Sequence, residues 1–153
     1  MSLSYRRANP LMLLVASSKG TPQSVLAQLA TEDDPDLLCQ IAENENTHPI
    51  TLAYLARHAD PAVRMAVARN KNVPFDLVWT LKDDNDSDVR LTLAAQPDTP
   101  ADVLLALRED DNPQVSSRAR LSLDRTFGRC RSGNEHITML DIARHAWRRS
   151  EAV

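Results

Sequence analysis

The stretch that decides the fold is Asp60-Pro-Ala-Val-Arg-Met-Ala-Val-Ala-Arg-Asn-Lys-Asn-Val-Pro74. It opens on a side-chain acceptor followed by proline. Thirteen residues later it reaches a second start, at Val73-Pro74. Aspartate at an N-cap satisfies an orphan amide, and proline at the first helical position loses nothing by lacking an N–H. Working outward from this stretch, the same punctuation recurs at Asn9-Pro10, Thr21-Pro22, Asp34-Pro35, Thr47-His48-Pro49, Asp86-Ser87, Thr99-Pro100 and Asn112-Pro113. Eight of the nine prolines lie at or beside a start, and Pro97 is the exception. Most starts are read as an N-cap residue followed by proline at the first helical position. The chain is therefore a series of short helices of nearly equal length, and a fixed interval of this kind marks a stacked repeat.

Two 13-residue halves alternate, so the full period is 26. In the first half, Val25, Thr51, Leu77 and Val103 share a column, as do Leu26, Leu52, Val78 and Leu104, and then Leu29, Leu55, Leu81 and Leu107. In the second half the columns are Leu37, Val63, Val89 and Val115, then Ile41, Val67, Leu93 and Ala119, then Ala42, Ala68, Ala94 and Arg120. Spacings of one, three and four residues place each set on one helical face. The alanine column permits close approach of neighbouring helices. A single half cannot bury its apolar face, whereas a stack buries a continuous strip. The fold expected is all-α: an α-α solenoid of about four two-helix repeats, 21–46, 47–72, 73–98 and 99–124. An N-terminal half-repeat at 9–20 precedes them and a C-terminal cap at 125–153 follows, within a single domain, 1–153.

Composition agrees. The chain has 153 residues, 4% aromatic and 42% hydrophobic, with three glycines. The core must be aliphatic, and hairpins and phosphate-cradling loops are disfavoured. Residues 21–116 carry 7 basic and 17 acidic side chains, within a chain whose net charge is −3. An acidic body thus lies between basic ends. Cys39 and Cys130 form neither a disulfide framework nor a metal quartet, a pattern that fits a reducing cytoplasm. Cys39 shares a column with Met65 and Leu91 and reads as a packing residue. The apolar run Leu11–Ala16 is short for a secretory signal and stands in register with Leu37–Ala42, so it reads as the half-repeat.

Asp60 and Arg64 are four residues apart, as are Asp86 and Arg90. Each arginine is expected to reach back one turn to its N-cap aspartate, giving a structural ladder along the stack. Leu38 and Ser116 replace the arginine in the outer repeats. Beyond Arg120-Leu121-Ser122 no Thr-Pro follows, so the helix from Pro113 is expected to run to about Phe127. Asn134 is then expected to cap a last helix containing Ile137, Leu140, Ala143 and Trp147.

The segments Asp60–Pro74 and Asp88–Pro100 resemble the leucine-rich repeat variant family, a HEAT-like α-solenoid class. Its pattern is Asp-Pro, Val-Arg, Val-Ala-x-Asn-Pro-x-x-Pro and paired leucines. The resemblance covers roughly residues 9–120. It implies a right-handed superhelix of paired short helices, some of them 3₁₀, and says little of function. One family member carries an iron–sulfur cluster on N-terminal cysteines. Residues 1–30 here hold none, so no cofactor is expected. Some HEAT-like relatives are DNA glycosylases or bilin lyases, but their active residues find no match in this chain.

No nucleophile–base–orienter set stands out, and no catalytic residue is assigned. His48, His58, His136 and His145 are scattered, and His136 and His145 with Cys130 match no standard metal spacing. The acidic runs Glu32-Asp33-Asp34, Asp83-Asp84 and Glu109-Asp110-Asp111 fall at one repeat position, where they can cap helices and favour the N-terminal dipole. Two surfaces are candidates for a protein or peptide partner. One holds Phe75 and Trp79, read either as an exposed patch or as packed under the next repeat. The other is the inner face of the second-half helices, with Met65, Arg69, Leu91 and Ala95, since solenoids bind extended partners on a concave face. The leading expectation is a non-enzymatic interaction module of the cytoplasm, with no membrane or small-molecule partner. The alternative is nucleic-acid binding, with Arg118, Arg120, Arg125, Arg129, Arg131, Arg144, Arg148 and Arg149 on phosphates and Trp147 stacked on a base. A base-excision enzyme, by fold analogy alone, ranks third.

Overall fold

In a computed structural model of the protein, residues 9–127 are described. These residues form nine α-helices and no strand: α1 Pro10–Ser17, α2 Gln23–Leu29, α3 Pro35–Glu43, α4 Pro49–Leu55, α5 Pro61–Arg69, α6 Phe75–Leu81, α7 Ser87–Ala95, α8 Ala101–Leu107 and α9 Pro113–Phe127. Every punctuation mark in the sequence opens a helix. The even helices have seven residues and α3, α5 and α7 have nine. Helix α9 runs for fifteen residues, with no turn signal to end it sooner. The C-terminal cap helix expected after Asn134 lies outside the described residues.

The odd helices stack directly on one another, α1 on α3, α3 on α5, α5 on α7 and α7 on α9, while the even helices make few contacts among themselves. The alanine column explains the difference: Ala16, Ala42, Ala68 and Ala94 are all buried. Two layers of unequal spacing must curve, with the closely spaced odd layer on the inside. Between the layers lie Leu26, Leu37, Ile41, Leu52, Leu55, Val63, Val67, Val89 and Leu93, all buried. This aliphatic seam is what the columns predict. Val25, Leu29 and Leu77 are only partly buried, and Arg120 is exposed where the other repeats place alanine.

The helix starts divide into two kinds: the N-cap residue with proline after it holds at α1, α3, α4, α5 and α9, and fails at α2, α6 and α8. Asp34, Asp60 and Asp86 cap the odd helices α3, α5 and α7, accepting from the amides of Leu37, Ala62 and Asp88. At α2, α6 and α8 the proline itself occupies the N-cap and offers no side-chain bond. The preceding threonine acts elsewhere. Thr21, Thr47 and Thr99 donate their hydroxyls to the carbonyls of Val15, Ile41 and Leu93 at 2.5, 2.5 and 2.6 Å, tying α2, α4 and α8 to the end of the odd helix before each, while Val73 before α6 makes no such tie. Helix α4 has a cap of its own, His48 Nδ1, which accepts from the Ile50 amide.

Candidate functional site

The turns fall on two opposite rims, and each rim has its own chemistry. On the rim where odd helices pass into even ones, a buried carboxamide ties successive repeats together. Asn44 Nδ2 donates to the carbonyls of Ala16 and Ser18 at 2.6 and 2.9 Å. Asn70 does the same to Ala42 and Asn44 at 2.7 and 2.9 Å. Each Oδ1 closes its own turn by accepting from the amide two residues on, Asn46 or Asn72. Those two residues donate in turn to the Lys19 and Glu45 carbonyls. Asparagine suits this place because one methylene brings its carboxamide both to its own turn and to the repeat below. Outside this ladder, Arg69 pairs with Glu43 at 3.3 Å and Lys71 with Glu45 at 2.9 Å.

On the other rim the ties are ionic. Arg64 does not reach back to Asp60, nor Arg90 to Asp86. Arg64 grips Asp84 of the following repeat with both Nε and Nη2, at 2.8 and 2.9 Å, and Arg90 grips Asp110 at 2.7 and 3.0 Å. The expected partners are already spent as N-caps, and a bidentate guanidinium–carboxylate pair is the stronger bond. The remaining Nη1 of Arg64 donates to the His58 and Ala59 carbonyls, and that of Arg90 to the Asp84 carbonyl. Burial opposes ionisation of Asp84, yet the Arg64 guanidinium and the Asp86 amide hold its carboxyl below the usual range. Asp110 is held low in the same way, first by Arg90 and then by the Asn112 amide, against the effect of burial. The acidic runs therefore divide: Asp84 and Asp110 lie inside the ladder, while Asp83 and Glu109 stay exposed. A solvent-open cleft of about 450 Å³ lies between the turns at Asp83–Asn85 and Glu109–Asp111. Its inner carboxylates are those already gripped by arginine.

Phe75 and Trp79 are not packed under the next repeat. They are 51% and 44% exposed, and their rings stack at 6.2 Å between centroids. The Lys82 ammonium stands 4.8 Å from the Trp79 ring centroid while pairing with Asp83. Ile50 and Tyr54 on α4 are exposed as well. Sequence reading passed over them because a column is recognised by repetition, and theirs otherwise hold Ser24, Asp76, Asp102, Gln28, Thr80 and Ala106. Met65 and Leu91 are half-buried at one position on the stacked helices α5 and α7, and Arg69 is exposed one turn beyond Met65. Arg69 and Phe75 meet at a second cleft, of about 150 Å³, between the turns around residues 70–74 and 96–100.

Of the basic residues, Arg120 and Arg125 are exposed on α9, and Arg118 is half-buried, its Nη2 on the Ala95 carbonyl and its Nε without a partner. Arg129, Arg131, Arg144, Trp147, Arg148 and Arg149 lie outside the described residues. Burial, with Asp60 and Glu43 nearby, pushes the Cys39 thiol up to about 11, which keeps it protonated and unreactive. Among the described residues no group of three His, Cys, Asp or Glu is placed to hold a metal ion, and no helix is long and apolar enough to cross a membrane.

Residues 12–71 match the family model described as Leucine Rich Repeat Variant domain. No curated protein and no solved structure matches the chain.

Proposed function

We propose that this chain, whose residues 12–71 match the leucine-rich repeat variant domain model, is a non-enzymatic interaction module that binds a protein or peptide on its solenoid surface. The observation that carries this reading is the exposure of Phe75 and Trp79. Phe, Trp and Tyr number only six in this chain. Two of them are stacked on each other in solvent while the core is filled by Leu, Val, Ile and Ala. Paired, half-exposed aromatics are typical anchors for a partner, because they bring large apolar area at little entropic cost. Arg69 joins them through the cleft that it shares with Phe75. Met65 and Leu91 extend an apolar line along the inner layer.

The test is affinity capture with wild-type protein, Trp79→Ala and Met65→Glu, all three checked for intact helix content. A partner held by wild type and lost from Trp79→Ala supports the proposal. Identical capture by all three, or no capture together with a demonstrated turnover, refutes it. A second reading, nucleic-acid binding, has the exposed Arg120 and Arg125 on α9 in its favour and the acidic body against it. Phosphate contacts make affinity fall steeply with salt, so a salt titration of DNA and RNA binding separates the two.

A further inference from the structure

The carboxamide ladder has one open rung. In the column of Asn44 and Asn70 the next repeat holds Gln96, and in the column of Asn46 and Asn72 it holds Asp98. Glutamine is a methylene too long to close the turn as asparagine does, and aspartate has no N–H to give. Among the described residues, no side chain donates to the carbonyls of Ala68, Asn70 or Lys71, the acceptors that the regular pattern would satisfy. One repeat later the pattern resumes, with the Ser122 hydroxyl on the Ala94 carbonyl at 2.7 Å. The 150 Å³ cleft opens at the missing rung, lined by Ala68, Asn70, Lys71, Gln96 and Asp98, with Phe75 among its walls. Pro97, the one proline away from a helix start, lies in the same turn.

We infer that this cleft seats the guanidinium of an arginine side chain carried by a basic partner peptide. This rests on the reading that the surface binds a peptide, and adds which side chain is recognised and where. The open rung offers main-chain carbonyls, a carboxylate at Asp98 and an aromatic face at Phe75. All three favour a flat cation with several N–H donors, which describes guanidinium and not ammonium. Arg69 and Lys71 also line the cleft, and each is paired away from it, Arg69 with Glu43 and Lys71 with Glu45. The body around it carries 17 acidic against 7 basic side chains over residues 21–116. Long-range attraction therefore favours a positively charged partner.

The test uses a fluorescein-labelled Gly-Lys-Gly-Arg-Gly-Lys-Gly peptide, followed by anisotropy against the full chain, and a twin peptide with lysine replacing arginine. The arginine peptide is expected to bind about tenfold tighter, the value of one charged hydrogen bond. The double variant Gln96→Asn with Asp98→Asn closes the rung. It is expected to melt at higher temperature than wild type while binding the arginine peptide about tenfold more weakly. A loss of binding caused by damage to the fold would lower the melting temperature instead. Asp98→Lys, an exposed change, is expected to weaken binding without altering stability. Equal binding of the two peptides, or full binding by Asp98→Lys, overturns the inference. In that event, Trp79-dependent capture of another partner leaves the interaction reading standing.

Discussion

Replacing Asn70 with alanine should be among the most damaging single changes on the turn rims. Asn70 is only 3% exposed and makes three hydrogen bonds, at 2.7 and 2.9 Å to the repeat below and at 2.7 Å from the Asn72 amide. A net contribution of about 1 kcal/mol for each bond gives about 3 kcal/mol. The Ala42 carbonyl is then left buried without its partner, so the loss is held at that level or above it. Against a total of roughly 5–15 kcal/mol for an ordinary domain, this is a large fraction. Asn72→Ala is the internal control. It removes one exposed bond, to the Glu45 carbonyl, and should cost about 0.5–1 kcal/mol. Asn70→Gln should fare little better than alanine, because position 96 shows glutamine leaving the rung open. Urea unfolding followed by far-UV circular dichroism measures all three. A difference below about 1 kcal/mol between Asn70→Ala and Asn72→Ala would mean that the buried carboxamide is not what joins the repeats.

The remaining predictions concern the other ties. Arg64→Leu leaves Asp84 buried without its counter-ion and should cost about 3 kcal/mol. Adding Asp84→His should recover part of this loss, because the chain itself pairs Leu38 with His58 at the same interval of twenty, and His58 Nδ1 caps the Asp60 amide. Asp84 and Asp110 titrate below the ordinary carboxylate value of 3.8 in the folded chain. The stability they contribute is therefore complete above that value and is lost as pH falls through their lower folded values. Arg64→Leu should flatten this acid limb in melts taken from neutral pH downward. Val73→Thr should stabilise by up to about 1 kcal/mol, since it supplies the hydroxyl tie that Thr47 and Thr99 make, read by the same urea titration. In a Cys130→Ser background, Cys39 should react with iodoacetamide far more slowly than free cysteine at mildly alkaline pH, and reaction at the rate of free cysteine would contradict a thiol pushed up to about 11.

The fold was legible because its signals are local. An N-cap aspartate, a proline and a 3.6-residue apolar pattern each act within one turn of helix, and repetition every 26 residues amplifies a weak signal into a firm one. What lay between repeats was read less well. Arg64 has an aspartate four residues away in sequence and another twenty residues away, and only the packing of α5 beside the next turn shows that the distant one is gripped. Thr21 and Thr99 looked like N-caps for the same reason: a side chain one residue before proline is placed to cap, and its reach backward to the previous helix is invisible in one dimension. The Ala-x-Asn pattern was visible, but a carboxamide bridging two repeats is a tertiary fact. Phe75 and Trp79 stood out by size among small neighbours, yet exposure or burial turned on whether a neighbouring helix covered them. The even layer is too widely spaced for that.

The two rims also divide the labour of holding the stack in a way that responds to different conditions. On one rim the bonds are neutral, carboxamide to carbonyl, and neither pH nor salt alters them strongly. On the other they are bidentate ion pairs from Arg64 to Asp84 and from Arg90 to Asp110, which acid removes. The repeat that begins at Val73 is joined to the one before it by Arg64 and Asp84 on the ionic rim, while on the neutral rim of the same junction the rung at Gln96 and Asp98 is open. This junction therefore depends on charge more than the junctions below it, where Asn44 and Asn70 are in place. Acid should loosen the stack first between α4–α5 and α6–α7, with α1 to α5 still joined through their asparagines and α7 to α9 through Ser122. Hydrogen exchange at reduced pH, corrected for the intrinsic rate, should show protection lost from α6 before α2. Loss in the opposite order would show that the aliphatic seam, not the rims, sets where the solenoid opens.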